Sequence, residues 1–138
     1  MTAPVAVDWD SLRALAVQAA GAAYCPYSKL QVGAAALVDD GRVITGCNVE
    51  NASYGLTICA ERNAVFHMVA AVGETNFDVI VVYTPTQNPT APCGACRQVL
   101  NEFNPAAEVY CVCDGPDVIR STVRELLPSA FGPQNLVT

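Results

Sequence analysis

The chain has 138 residues, of which 52% are apolar, and a net charge of −6. Only seven basic residues are present, scattered at Arg13, Lys29, Arg42, Arg62, Arg97, Arg120 and Arg124, which excludes a protein that grips nucleic acid by its phosphates. The length suits one domain (1–138) with one core, and no linker, repeat or low-complexity run divides it. The apolar excess points to a sheet covered on both faces and to a subunit interface. No basic-then-apolar leader and no apolar run of roughly 18 residues is seen. The expectation is therefore a soluble, cytoplasmic protein that binds no membrane. Its seven cysteines then point to metal rather than disulfides.

In chain order, DWDSLRALAVQAAGAAY predicts a helix capped by Asp8 or Asp10, with Leu12, Leu15, Ala16, Ala19 and Ala23 on its apolar face. Cys25-Pro26-Tyr27 breaks it. Small and β-branched residues from Val32 to Val38 predict a strand. Asp39-Asp40-Gly41 turns the chain and Arg42 to Cys47 returns as the hairpin partner. Asn48 to Thr57 reads as irregular. A second helix opens near Cys59 and runs to about Val72, stopped by Gly73. FDVIVVY, Phe77 to Tyr83, is the pattern of a strand buried on both faces. A proline-rich loop then leads to a third helix, Cys93 to about Phe103. Glu108 to Cys113 is another buried strand and Val118 to Ser121 a short edge strand. Thr122 and Glu125 form a capping-box pattern for a last helix. The expected architecture is α/β: a mixed sheet of about five strands between helices, in three α/β/α layers.

Chemistry concentrates at two helix starts. Cys93 and Cys96 form a CxxC that places both sulfurs on one helix face. Alone, that pair is ambiguous between redox and metal chemistry. Cys59-Ala60-Glu61 opens the preceding helix and tips the balance. Two helices beginning at neighbouring strand ends can aim their N-termini at one spot. Cys59, Cys93 and Cys96 then converge on a soft cation, and three protein ligands on zinc leave a fourth position for water. Cys25, Cys47, Cys111 and Cys113 lack matching spacing, and His67 lies too far along its helix to join. Three thiolates on Zn²⁺ leave a net negative site, which weakens the Lewis acid. Helix N-termini, and Arg62 as a donor to the thiolates, would offset that charge. The plainer reading of Arg62 is an exposed helix arginine. Glu61, two residues from a ligand, is placed to move protons at the open position.

Cys-Ala-Glu followed by Pro-Cys-x-x-Cys resembles the zinc-deaminase signature. PYSKLQVGAA, TGCNVENASYGLTICAERNAV, PCGACRQVL and ELLPSAFG extend the resemblance over nearly the whole chain, to the small homotetrameric cytidine deaminases. It implies one Zn²⁺ per subunit and hydrolysis of cytidine and 2′-deoxycytidine to uridine and 2′-deoxyuridine plus ammonia, as in pyrimidine salvage. In that family zinc-bound hydroxide attacks C4, while the residue matching Glu61 protonates N3 and helps ammonia leave. Asn48 and Glu50 match residues that hydrogen-bond the ribose hydroxyl, though as polar loop residues they have a plainer reading. The Ala60 backbone matches a position that binds the base carbonyl, and the Ala91 carbonyl one that receives the leaving amine. Tyr54 and Phe131 match aromatics that reach a neighbouring subunit's site, making each pocket composite, although Phe131 could also be ordinary core. Leu30 stands where the family usually has Phe beside the base, and Ala91 replaces a more usual Ser or Thr. The competing readings are a deaminase of another cytosine compound such as blasticidin S, a nucleic-acid editing enzyme and a structural zinc module. CNVEN argues for a ribose-bearing substrate, and the acidic balance against a nucleic-acid strand.

Overall fold

A computed structural model describes residues 7–38 and 41–136. The first helix, α1 (Trp9–Ala20), is capped by Asp8, whose carboxylate accepts from Ser11 N at 3.1 Å. It buries Leu12, Ala16 and Ala20. The helix stops short of the predicted Tyr24. Tyr24 N donates instead to Asn48 O at 3.0 Å and Tyr24 O accepts from Glu50 N at 2.8 Å, so a long-range bridge wins over local helix propensity.

Strands β1 (Gly33–Val38) and β2 (Val43–Cys47) form the expected hairpin. Asp39 and Asp40 of its turn lie outside the described residues. Gly41 closes it in the left-handed region, φ 90°, donating to Val38 O at 2.9 Å. Helix α2 (Ala60–His67) continues as a π-helical turn, Met68–Val72, and ends at Gly73 with φ 77°. Then come β3 (Phe77–Tyr83), α3 (Gly94–Phe103), β4 (Glu108–Val112), β5 (Ile119–Thr122) and α4 (Val123–Leu126). Thr122 caps α4, its hydroxyl oxygen accepting from Glu125 N at 3.2 Å. A 3₁₀ turn, Pro133–Leu136, closes the described chain.

The five strands lie in the order β2-β1-β3-β4-β5. β1 runs antiparallel to both its neighbours, and β4 runs parallel to β3. β2, β3 and β4 therefore end at the same edge of the sheet, and α2 and α3 start from that edge. Chain order suggests that those helices leave neighbouring strands. Instead β1 lies between β2 and β3, so the two N-termini meet across an intervening strand.

Both faces are covered, as expected for three layers. Ala35 and Leu37 of β1 pack with Val79, Val81 and Val112 under α1. Ala34, Ala36 and Val38 pack with Ile80, Val82 and Val109 under α2 and α3. All of β1 is buried and nearly all of it is small, which lets helices approach closely from both sides. At Gly46 of β2 an added Cβ would fall 2.3 Å from Ala64 N and 2.6 Å from Ala60 O, so α2 rests directly on the strand backbone.

Candidate active site

The loop after β2 is held by backbone bridges of Val49 to Tyr24 and Ile58 and by side chains. Asn63, in the first turns of α2, donates from Nδ2 to Cys47 O at 2.8 Å, tying the helix to the strand end. Cys59 then occupies the N-cap of α2, with Ala60 and Glu61 as its first two helical residues. Cys93 occupies the N-cap of α3, and Cys96 lies one turn in. Neither capping sulfur makes a cap hydrogen bond to its own helix, so both can face another partner. Pro92 lies just before the cap rather than inside the first turn, and its carbonyl accepts from Arg97 Nε at 2.7 Å. Arg97 Nη1 also donates to Leu126 O at 2.9 Å, bracing the CxxC turn against α4.

The three sulfurs of Cys59, Cys93 and Cys96 all lie within 4.8 Å of one another, with Cys59 and Cys93 at 3.8 Å. Tetrahedral thiolates at the usual Zn–S distance of about 2.3 Å sit about 3.8 Å apart, so the trio fits zinc in both donor type and spacing. The remaining four cysteines form no disulfide. His67 Nδ1 is 3.0 Å from Thr45 O, away from the cluster.

Electrostatics also favour a cation there. Hydrogen bonding by Cys96, then by Arg62 and Cys93, lowers the Cys59 thiol to about 5. The Cys59 thiolate and burial push the fully buried Cys96 upward. Without a metal, one thiolate suppresses the ionisation of its neighbour, and a dication removes that conflict. Arg62 Nη2 lies 3.5 Å from Cys59 Sγ and donates to Thr57 O at 3.4 Å. Its Nε is buried and has no hydrogen-bond partner among the described residues.

Glu61 is only 5% exposed. Burial, reinforced by the Cys59 thiolate, raises its carboxyl to about 7. It lines a cavity of about 320 Å³ together with Cys59, Cys93, Ala60, Ala91, Leu30, Asn48 and Glu50. Ala60 N–H sits at the first helical position, where the helix itself offers no acceptor. Tyr54 and Phe131 are 76% and 58% exposed and do not line this cavity.

The far wall is built from the segment between α1 and β1. Asn48 Nδ2 donates to Leu30 O at 2.7 Å and its Oδ1 accepts from Val32 N at 2.9 Å. That leaves one amide N–H and one lone pair. Glu50 Oε1 accepts from Tyr27 N and Ser28 N, each at 3.1 Å, and Oε2 accepts from Ser28 Oγ. Those bonds, the Ser28 hydroxyl foremost, lower the carboxyl of Glu50. Three of about four acceptor sites on the carboxylate are filled, so one remains. Together the two side chains keep one donor, on Asn48, and an acceptor on each, enough to meet a hydroxyl that both gives and takes a hydrogen bond.

The bracing residues escape a reading of the sequence. Asn63, Arg97 and Ser28 carry no metal or proton-transfer signature. Their places in NAV, RQV and PYS, beside the site residues, are the only signal.

A family described as the cytidine and deoxycytidylate deaminase zinc-binding region matches residues 8–113. A cytidine deaminase of Halalkalibacterium halodurans is 50% identical over 94% of this chain and 98% of its own length. One from Mycobacterium tuberculosis is 49% identical over 94% of each chain. The crystal structure of a cytidine deaminase from Burkholderia pseudomallei superposes with a TM-score of 0.86 at 46% identity, covering 91% of this chain and all of that one. The sulfur cluster, the buried glutamate beside it and this extent of likeness lead to one conclusion: the chain belongs to the family of the cytidine and deoxycytidylate deaminase zinc-binding region.

Proposed function

We propose that this protein hydrolyses cytidine and 2′-deoxycytidine to uridine and 2′-deoxyuridine with release of ammonia, a pyrimidine-salvage reaction. The observation that carries the reading is a cluster of three thiols, two of which line one cavity together with a buried glutamate and an amide–carboxylate pair. The relatives named cytidine deaminase supply the substrate. Cys59, Cys93 and Cys96 would hold zinc, which when bound supplies a Lewis acid that makes water nucleophilic at neutral pH.

The residues of the chain do the rest. Glu61 is buried and lines the cavity beside the cysteines, where a carboxyl can exchange protons with water and with the base. It takes a proton from the attacking water and gives it to N3 of the base. It then passes the second to the exocyclic nitrogen, which leaves from C4 as ammonia while the C4 carbonyl forms. Ala60 N–H would hold the base carbonyl and Ala91 O the leaving amine. Leu30 would cover the base as an aliphatic wall. Asn48, with its free N–H, and Glu50, with its free acceptor, would read one sugar hydroxyl. Arg62 would moderate the thiolate charge from beside Cys59.

The exposed Tyr24, Tyr54, Leu56 and Phe131 support a homotetramer with composite sites. Seven free cysteines support a reducing, cytoplasmic setting. Among the described residues no helix is long and apolar enough to cross a membrane. The test is a cytidine assay, followed by the fall in ultraviolet absorbance, together with metal analysis. Stoichiometric zinc and turnover of both nucleosides are expected, and zinc-loaded protein inert toward cytidine would refute the reading.

A further inference from the structure

We propose that Ser28 is a positioning residue for specificity, one that fixes the Glu50 carboxylate toward the sugar and locks the Leu30 wall to it. The proposal rests on the nucleoside reading above and adds a residue to it.

The hydroxyl of Ser28 is engaged both as donor and as acceptor. Glu50 as a carboxylate only accepts, so the Ser28 O–H must donate to Oε2. Its lone pair accepts from Leu30 N at 3.0 Å. The backbone N–H of the same residue reaches the other oxygen, Oε1, at 3.1 Å. Ser28 is the one side chain among the described residues that hydrogen-bonds Glu50.

Two details make this more than a surface turn. Lys29, between Ser28 and Leu30, takes φ 63°, a left-handed conformation that a lysine adopts only when its surroundings enforce it. The Ser28 hydroxyl, bonded to Glu50 on one side and to Leu30 N on the other, supplies that enforcement. Ser28 and Glu50 also line a second hollow with Tyr27, Tyr54 and Thr57, so the pair forms a thin partition open on both sides. No packed core behind it keeps the carboxylate in place. Leu30 is held at its other end by Asn48 Nδ2, so the base-side wall and both sugar-side groups form one hydrogen-bonded unit.

Without the Ser28 hydroxyl, Glu50 keeps two backbone donors but loses the bond that orients Oε2. Leu30 N is released at the same time. The loss should fall on substrates that offer a sugar hydroxyl to Glu50 and much less on those that do not.

The experiment measures kcat and KM for Ser28→Ala and Ser28→Thr with 2′-deoxycytidine and with 2′,3′-dideoxycytidine, alongside the unmodified protein. For Ser28→Ala the expected result is a KM for 2′-deoxycytidine raised about tenfold, with kcat within about threefold and zinc content unchanged. For the dideoxy substrate KM should move less than about threefold. Ser28→Thr, which keeps the hydroxyl, should restore most of the difference. Equal losses on both substrates, or no loss on either, overturns the role of Ser28 while leaving the deaminase reading intact. Failure of the unmodified protein to turn over any cytosine nucleoside overturns both.

Discussion

At the scale of single residues, the proposed function assigns holding the metal and moving the proton to separate groups. The three sulfurs cluster at the helix starts, while the Glu61 carboxyl lines the cavity beside them. Glu61→Gln keeps shape and burial and removes only the exchangeable carboxyl. That variant should retain one zinc per chain and lose kcat by about 10²–10⁴, the usual scale of general acid–base catalysis. Turnover near that of the unmodified protein would remove Glu61 from proton transfer. Arg62→Ala should act differently, because its guanidinium meets Cys59 Sγ at 3.5 Å. Charge-assisted donors to a buried anion are worth about 1.5–3 kcal/mol, so a competing chelator should strip zinc from the variant about tenfold faster or more. Unchanged release with unchanged turnover would reduce Arg62 to a helix-surface arginine. The proposed roles of these residues are suggested by the sequence because metal ligation and proton transfer demand particular side chains at short spacings. Those of Ser28, Asn63 and Arg97 are not, since each acts through a partner 16 to 29 positions away that only folding brings near.

At the scale of elements, the position of α2 sets the site, because Cys59 caps it and Ala60 and Glu61 begin it. Its seat is Gly46, where an added methyl would meet backbone atoms at 2.3 and 2.6 Å. Neither atom belongs to a flexible side chain, so the helix itself must shift. Gly46→Ala should cost about 2–3 kcal/mol as overpacking, a fall in Tm of roughly 5–10 °C for a chain of this size, with faster zinc loss. Gly55→Ala is the matched control, because nothing lies within 4 Å of the place its methyl would take. Equal melting of the two variants would show that α2 does not depend on the contact. The existence and order of the elements are readable, since the strands are short apolar runs and the helices carry caps such as Asp8 and Thr122. Sheet order is not. The placement of β1 between β2 and β3 depends on pairings such as Ala36 with both Ile44 and Ile80, and such long-range registers leave no local mark. The same holds for the end of α1, where the Tyr24 bridge to Val49 overrides a run of alanines that favours helix.

At the scale of the whole molecule, the question is whether one chain makes a complete site. Phe131 is 58% exposed, and Gln98 Nε2 bonds only its carbonyl, at 2.8 Å. The ring is absent from the lining of the cavity on its own chain. If Phe131 serves catalysis, it must therefore do so on another chain. Phe131→Ala should keep zinc and the Glu61 environment while losing activity about tenfold or more. Mixing provides the decisive arm. Subunits carrying Glu61→Gln have a dead proton shuttle but an intact Phe131. Subunits carrying Phe131→Ala have the reverse. If the chain assembles as proposed, co-refolding or co-expression yields hybrid assemblies in which some sites combine the Glu61 of one chain with the Phe131 of its neighbour. Activity should then rise severalfold above that of either parent, and a molecular mass near four chains should accompany it. A mixture no more active than its parts would mean that each chain works alone, and the exposed aromatics would then need another partner to explain them.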